Sequence, residues 1–326
     1  MPELPEVESF RRLLVKHCQG KKVVSVELKE TGGGSRDGEV DEKVVDQTLT
    51  KEDLVEHKLV GAKRQGKHLI LEFSGGVDLL FHFGLTGLFK VKGQQAGAVQ
   101  YLSAKAHKGE GEDESWPPKC TKLLFEFEDD IQVAFVDPMR LGKCTKAENP
   151  GAEHPSLLEL APDAMHAMPS ELDFCSLMDR AGNRAIKTIL LDQTSVVCGL
   201  GNYLVDDICH HAGVHPNTKR SFLSKEKVLQ LRESIVAITS KACECDEKGE
   251  NFPKEWLFHG RFDSKSDKLA QQKISGVKEI KVGGRATFFN PKTQVEIKKV
   301  APQVEDKKAA PQVEETASRA KRAKTA

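Results

Sequence analysis

Leu4, Val7, Phe10, Leu13 and Leu14 recur at helical spacing along one face, which predicts a helix beginning almost at the first residue. Pro5 suits its first turn, and Glu6 and Glu8 lie at the positive end of its dipole. The period then changes. Alternating or short continuous apolar runs at Val23 to Leu28, Leu69 to Phe73, Val77 to Phe83, Leu88 to Val91, Leu123 to Phe127 and Ile131 to Val136 predict strands. Gly75-Gly76 and Asp129-Asp130 supply turns at hairpin distance, so this half of the chain is expected to form an antiparallel sandwich or barrel. Two stretches rich in Gly and charge, 31–42 and 93–119, interrupt the pattern and are expected to be surface insertions.

Asn149-Pro150-Gly151 and Leu160-Ala161-Pro162-Asp163 mark a linker, after which the helical period returns. Ser170 is placed to cap Glu171 to Met178 and Asn183 to cap Arg184 to Leu191. Gly201 to His211 ends at Gly213, and Val228, Leu231, Ile235 and Ile238 share a face of a longer helix. The expected division is a β domain at 2–145, a linker at 146–169, a helical bundle at 170–250, a last folded piece at 251–297 and a tail at 298–326. The tail carries Ala-Pro-Gln-Val-Glu twice and is too polar to build a core, so it is expected to be disordered. Its basic end suits a nuclear address, a nonspecific DNA tether or a plain solvated tail equally well.

Composition changes this picture little. Of 326 residues, 38% are hydrophobic and 30% charged, as in an ordinary soluble protein of two domains. No run of about 18 apolar residues occurs, and the first helix carries acids where a secretory signal would be basic, so a soluble intracellular protein with no membrane partner is expected. The eight cysteines include no Cys-x2-Cys pair, and Cys243-x-Cys245 is too closely spaced for a zinc knuckle. Free thiols, no metal and no cofactor are expected. Net charge is zero, but from Lys298 onward eight basic residues stand against four acidic ones, so the tail is +4 and the remainder −4. Any nucleic-acid contact in the folded part must come from local clusters.

The candidate chemistry starts at the first residues. A small residue behind the initiator Met normally lets that Met be removed, which would leave Pro2 as a secondary amine beside the Glu3 carboxylate. An α-amine is partly neutral at physiological pH, and a neutral amine can attack a sugar or carbonyl carbon. The Schiff base of a secondary amine is a cationic iminium, an electron sink for elimination. The helix that follows at once would hold this amine still, whereas an idle terminus frays. Further along come Lys63-Arg64-Gln65-Gly66-Lys67-His68 before a strand, His82-Phe83-Gly84-Leu85-Thr86-Gly87 at a turn, and Asp137-Pro138-Met139-Arg140-Leu141-Gly142. In the helical part, Lys187-Thr188-Ile189-Leu190-Leu191-Asp192-Gln193 precedes Gly199-Leu200-Gly201-Asn202, a glycine turn opening a helix, whose free amides suit a phosphate. His210, His211 and His215 are read as helix-end histidines rather than metal ligands.

Pro-Glu-Leu-Pro-Glu-Val-Glu at 2–8 resembles the opening of formamidopyrimidine-DNA glycosylases, base-excision repair enzymes related to endonuclease VIII, and the later stretches match that family's motifs in order. The resemblance implies an α+β protein: a two-sheet antiparallel β-sandwich led by a helix, then a helix-two-turns-helix domain and a finger hairpin. It implies a bifunctional glycosylase and abasic-site lyase, working as a monomer on damaged double-stranded DNA, in the nucleus or an organelle. Pro2, Glu3 and Lys67 would be catalytic, while Glu6, Leu85, Met139, Arg140, Leu141, Lys187, Asn202 and Arg285 would face the DNA. Leu85 stands where the family carries the apolar wedge that enters the gap of the flipped nucleotide. Met139 and Leu141 depart from the family's Asp-Pro-Arg-Arg-Phe-Gly, and Met139 cannot donate a hydrogen bond to a base edge, though Arg140 could still reach a phosphate. Residues 252–297 contain no Cys, while Arg-Ala-Thr-Phe at 285–288 matches the family's finger hairpin, which implies a zinc-free finger of the plant and fungal kind. Oxidised purines are the implied substrates: formamidopyrimidines and hydantoins ahead of 8-oxoguanine. The rival readings are an endonuclease VIII-like enzyme for oxidised pyrimidines, disfavoured by Leu4 where that group carries Gly, and a non-catalytic binder of damaged DNA, which would show no turnover.

Overall fold

The apolar face of the first segment folds as helix α1 (Leu4–Cys18), with Val7, Phe10 and Leu14 buried in the core of the β domain and Leu4 buried in that of the helical domain. The computed structural model describes residues 2–94, 115–147, 155–245, 251–261 and 276–297. The expected tail and most of the 93–119 stretch lie outside these residues.

Eight strands follow: β1 (Val23–Glu27), β2 (Leu59–Gln65), β3 (His68–Phe73), β4 (Asp78–His82), β5 (Leu88–Val91), β6 (Thr121–Phe127), β7 (Ile131–Val136) and β8 (Lys143–Ala147). They form two four-stranded antiparallel sheets, in the orders β1-β6-β7-β5 and β2-β3-β4-β8. Neither β2 nor β8 was evident from periodicity. Strand β2 carries Lys63 and Arg64, and β8 buries only Cys144, so each is a strand because its neighbour offers a ladder. Lys63 to His68 is accordingly not a strand entry but the end of β2, a two-residue Gly66-Lys67 hairpin turn and the start of β3. Gly66 takes φ +57, the left-handed first position such a turn requires. Between the sheets Phe10, Phe81, Phe83, Phe89 and Phe135 pack ring on ring, with Phe10 and Phe83 centroids 4.7 Å apart and Phe81 and Phe89 4.9 Å apart. Each such buried ring contributes roughly 1.5 to 3 kcal/mol, and this cluster is the floor beneath the turns that follow β4 and β7.

The linker includes a short helix, α2 (Pro155–Leu158). The helical domain contains α3 (Glu171–Arg180), α4 (Ile186–Leu191), α5 (Asn202–His211) and α6 (Lys225–Glu244). Ser170 caps α3, accepting from the Asp173 amide at 3.2 Å. Asn183 does not cap α4: that helix starts later, with Ala185 at its cap position, and the Asn183 side-chain Oδ1 accepts from the Ser221 amide instead. A hairpin of β9 (Lys278–Val282) and β10 (Arg285–Phe289) closes the described chain. No described helix is long and apolar enough to cross a membrane.

The 31–42 stretch is more than a surface insertion. Its middle is exposed, but it is anchored by Glu30 and Asp41, each 1% exposed, and the Thr31 amide donates to the Thr121 carbonyl at 2.9 Å. Buried Lys122 pairs with both Glu30 and Asp41. Paired in this way, the charges tolerate burial that would otherwise be prohibitive.

Candidate active site

Glu3 caps α1, but its carboxylate belongs to another helix. One oxygen accepts from the Tyr203 amide at 3.1 Å and the other from the Leu204 amide at 3.2 Å, both in the first turn of α5. The helix that was expected to present its amides to a phosphate presents them to this carboxylate, and the glycine turn is the seat for the chain's first residues. The Leu4 amide donates to the Gly199 carbonyl at 3.1 Å. A Cβ on Gly201 would lie 2.0 Å from the Glu3 carboxyl carbon, and one on Gly199, at φ +102, 2.7 Å from Leu4. Pro2 is buried at this junction, so the expected rigid hold on the terminus has a physical basis. Burial raises the Glu3 carboxyl above its ordinary range, opposed by the charge of Lys67 and by the two amides.

Glu6 does not face outward. It is 4% exposed, one oxygen accepting from the Glu3 amide at 2.8 Å and the other from the Tyr203 hydroxyl at 2.8 Å. The first of these contacts completes a capping box with Glu3. Glu6 therefore corrects the expectation of a DNA-facing carboxylate: it sits behind Glu3, and burial together with the neighbouring Glu3 charge pushes it up to about 7.

Lys67 reaches the same place from the β2–β3 turn. A Cβ on Gly66 would come within 2.9 Å of Cys198 Sγ, so only glycine lets the turn lie against the segment that seats Glu3. Burial lowers the Lys67 ammonium, Glu3 raises it and Arg285 lowers it further, so the three charges act on one another. Behind the turn, Arg64 has no exposed side-chain area. It donates to both Asp163 oxygens at 2.6 and 2.9 Å, to the Gly66 carbonyl at 2.8 Å and to Glu8 at 3.3 Å. Asp163 also accepts from the Gly66 amide at 2.7 Å. This bidentate pair fixes the Lys67 turn of one domain to the segment leading into the other.

Arg285 is exposed at the start of β10, and its strand is clamped from below. The Ala286 carbonyl accepts from Asn202 Nδ2 at 3.0 Å and from Lys187 Nζ at 3.2 Å. Lys187, expected to grip the DNA backbone, is fully buried and paired with Asp206 at 2.5 Å. Its ammonium is committed to holding the hairpin, because an unpaired buried Asp206 would be costly. Asp206 also pairs with Arg261 and accepts from the Phe288 amide at 2.9 Å, and Arg261 lies 5.0 Å from the Phe288 ring centroid. Asn202 is partly exposed at the mouth of the same junction. Among the described residues no group of His, Cys, Asp and Glu side chains is placed to hold a metal ion. The finger hairpin is fixed by this salt-bridge network and by packing.

Leu85, Met139 and Leu141 form a separate feature. They are 44%, 48% and 43% exposed, and their grouping on two neighbouring turns, rather than the exposure of any one of them, sets them apart. Their two turns touch through backbone: a Cβ on Gly84 would lie 2.3 Å from the Leu141 carbonyl carbon. Buried Asp137 joins them, one oxygen accepting from the Thr86 hydroxyl at 2.7 Å and the other from the Gly142 amide at 2.7 Å. Arg140, expected to be available to a phosphate, is instead held by Asp41.

Tyr203, Asp206, Arg261, Asp137 and Asp41 were not singled out for a role from sequence. Asp137 opens a motif quoted for its neighbours, and each of the other four makes a contact with a residue more than forty positions away.

Family profiles match both halves of the chain: the formamidopyrimidine-DNA glycosylase N-terminal domain over residues 1–144 and the formamidopyrimidine-DNA glycosylase H2TH domain over residues 160–254. A formamidopyrimidine-DNA glycosylase of Arabidopsis thaliana is 32% identical over 299 residues, covering 90% of this chain and 71% of that protein. One from Bacillus subtilis is 30% identical over 315 residues, covering 91% of this chain and all of that protein. Among solved structures, the Lactococcus lactis enzyme bound non-covalently to DNA containing an AP site superposes with a TM-score of 0.68 at 26% identity, covering 90% of this chain and all of the other. The same enzyme with DNA containing FAPY-dG also gives 0.68, at 25% identity and the same coverage.

Proposed function

The chain belongs to the formamidopyrimidine-DNA glycosylase family, and from that membership we propose that Pro2, Glu3 and Lys67 form the reaction centre of a bifunctional DNA glycosylase and abasic-site lyase. The enzyme class and the place in base excision repair follow from the family; the roles of individual residues are the proposal. The observation that carries it is the seating of Glu3 on the first-turn amides of α5, with Pro2 buried beside it and Lys67 close enough for each charge to shift the other.

The substrate is damaged double-stranded DNA whose oxidised purine is turned out of the stack. The Pro2 nitrogen attacks C1′, forming a carbon–nitrogen bond as the bond to the base breaks; the base departs with its electron pair and takes up the proton that the Pro2 nitrogen sheds. Glu3, whose carboxyl is raised above its ordinary range by burial, supplies a proton to the sugar ring oxygen as the ring opens. The resulting iminium acidifies the C2′ proton. Its loss expels the 3′ phosphate, and a second elimination expels the 5′ phosphate. Lys67, lowered by burial, sits where it can contact a phosphate or the reacting sugar. Arg285, exposed above it, supplies a charge-assisted contact to the phosphates flanking the lesion. Leu85, Met139 and Leu141 fill the gap left by the extruded nucleotide. The finger works without zinc, since residues 251–297 offer no cysteine and the Asp206 network already fixes the hairpin. Formamidopyrimidines and hydantoins are the favoured lesions, the protein acts as a monomer, and the basic tail at 319–324 suits a nuclear address.

Borohydride added during turnover is expected to link the protein covalently to lesion-bearing duplex, with the adduct mapping to Pro2. A Pro2→Gly protein that nicks at the wild-type rate would remove the proposed nucleophile.

A further inference from the structure

Arg140 stands between the exposed tips of Met139 and Leu141 and adopts φ +56, a left-handed backbone that a long side chain takes only when something holds it there. What holds it is Asp41. The Asp41 carboxylate accepts from Arg140 Nε at 2.7 Å and Nη2 at 2.9 Å, a two-point fork, and from Lys122 Nζ at 3.0 Å. The Asp41 side chain has no exposed area, and Lys122, 1% exposed, is also bound to Glu30. The anchor is therefore rigid, tied into β6 below and into the loop between Glu30 and Asp41 at the side. From the opposite side Asp137 ties the same turn to Thr86 and so to Leu85. Met139 offers a duplex no hydrogen bond to a base edge, so any distinction among opposite bases must come from where the turn places apolar bulk.

We propose that Asp41, through its fork to Arg140, is a positioning residue that sets the Met139–Leu141 turn for entry into the duplex and thereby shapes opposite-base preference, with Arg140 acting as a strut rather than a phosphate ligand. This rests on the reading of Leu85, Met139 and Leu141 as the inserted side chains.

The test compares wild type with Asp41→Asn, Arg140→Lys and the double variant. Duplexes carrying one formamidopyrimidine lesion opposite each of the four bases are read by single-turnover excision. Cleavage of a single-stranded abasic oligonucleotide reads the Pro2 chemistry without any need for insertion. Asp41→Asn is expected to lower duplex excision at least tenfold and to change the spread among opposite bases at least threefold, with single-strand cleavage within twofold of wild type. Arg140→Lys keeps the charge but cannot form the fork. It is expected to match Asp41→Asn, to add less than twofold when combined with it, and to leave the salt dependence of binding to an abasic-analogue duplex unchanged. Since Arg140 is on the surface, this variant also covers the case in which Asp41→Asn loosens the domain and lowers single-strand cleavage too. Duplex excision within twofold of wild type for Arg140→Lys would overturn the proposal. So would an Arg140→Gln protein whose salt slope falls by about 0.9, the signature of one lost phosphate contact. Failure of wild type itself to nick or to trap would instead count against the glycosylase reading, so the two failures are separable.

Discussion

Glu6 shows how far a single residue's environment departs from its local sequence. Exposed acids in a first helical turn are ordinary dipole partners, but Glu6 is enclosed by Glu3 and Tyr203 and pushed up to about 7. The sign of the consequence is fixed. Between pH 4.5 and 7 the folded protein holds a proton that the unfolded chain releases, so the stability Glu6 contributes is fully present below about 4.5 and is lost as pH rises through 7. The interval corresponds to on the order of 3 kcal/mol. In Glu6→Gln the amide stays neutral, with its oxygen able to accept from the Glu3 amide and its nitrogen to donate to Tyr203. Urea midpoints are expected to show this variant gaining on wild type from pH 5 to pH 8; a constant gap would mean that Glu6 is not protonated in the fold.

At the scale of elements, the proposed active centre is a junction of three segment ends: the start of α1, the start of α5 and the β2–β3 turn. Glycine decides whether they fit. Gly201 has φ −125, which any residue tolerates, yet a Cβ there would lie 2.0 Å from the Glu3 carboxyl carbon. Gly201→Ala should therefore leave the helix intact and displace the acid. A misplacement of about 1 Å at a reacting group costs on the order of a hundredfold in rate. Single-turnover base release is expected to fall by about that factor while helical content by circular dichroism stays at the wild-type level. Unchanged base release would show that Glu3 need not sit on the α5 amides.

Over the whole molecule, two cores are held in register by a few buried charges. Arg64 joins β2, α1 and the segment entering the helical domain through Asp163 and Glu8, which are 5% and 1% exposed. Glu8 keeps Arg11 and Arg12 if Arg64 is removed, but Asp163 loses its guanidinium. Removing one partner of a buried pair costs about 3 to 5 kcal/mol. Arg64→Met is expected to lose that much in urea denaturation, and the Lys67 turn should exchange its amide hydrogens faster. A loss below about 1 kcal/mol would mean that the domains are held chiefly by apolar packing.

Much of the molecule was legible in the chain itself: the helix opening at Leu4, the strands from Val23 to Val136 other than β2, the helical second half, and the short motifs that mark Pro2-Glu3, Lys67 and Arg285 as candidates. These follow from local period and from short motifs, because a side chain's choice between helix face and strand face is made within a few residues. The partners of charged groups were not legible in this way. Glu6 turned inward, Lys187 was buried on Asp206, Arg140 was taken up by Asp41, and the α5 amides received Glu3 in place of an external phosphate. Glu3 meets Tyr203 across 200 residues of chain and Asp41 meets Arg140 across 99. Only the tertiary structure decided these, since burial makes a charge depend on whichever opposite charge the fold brings to it, and no local pattern records that choice.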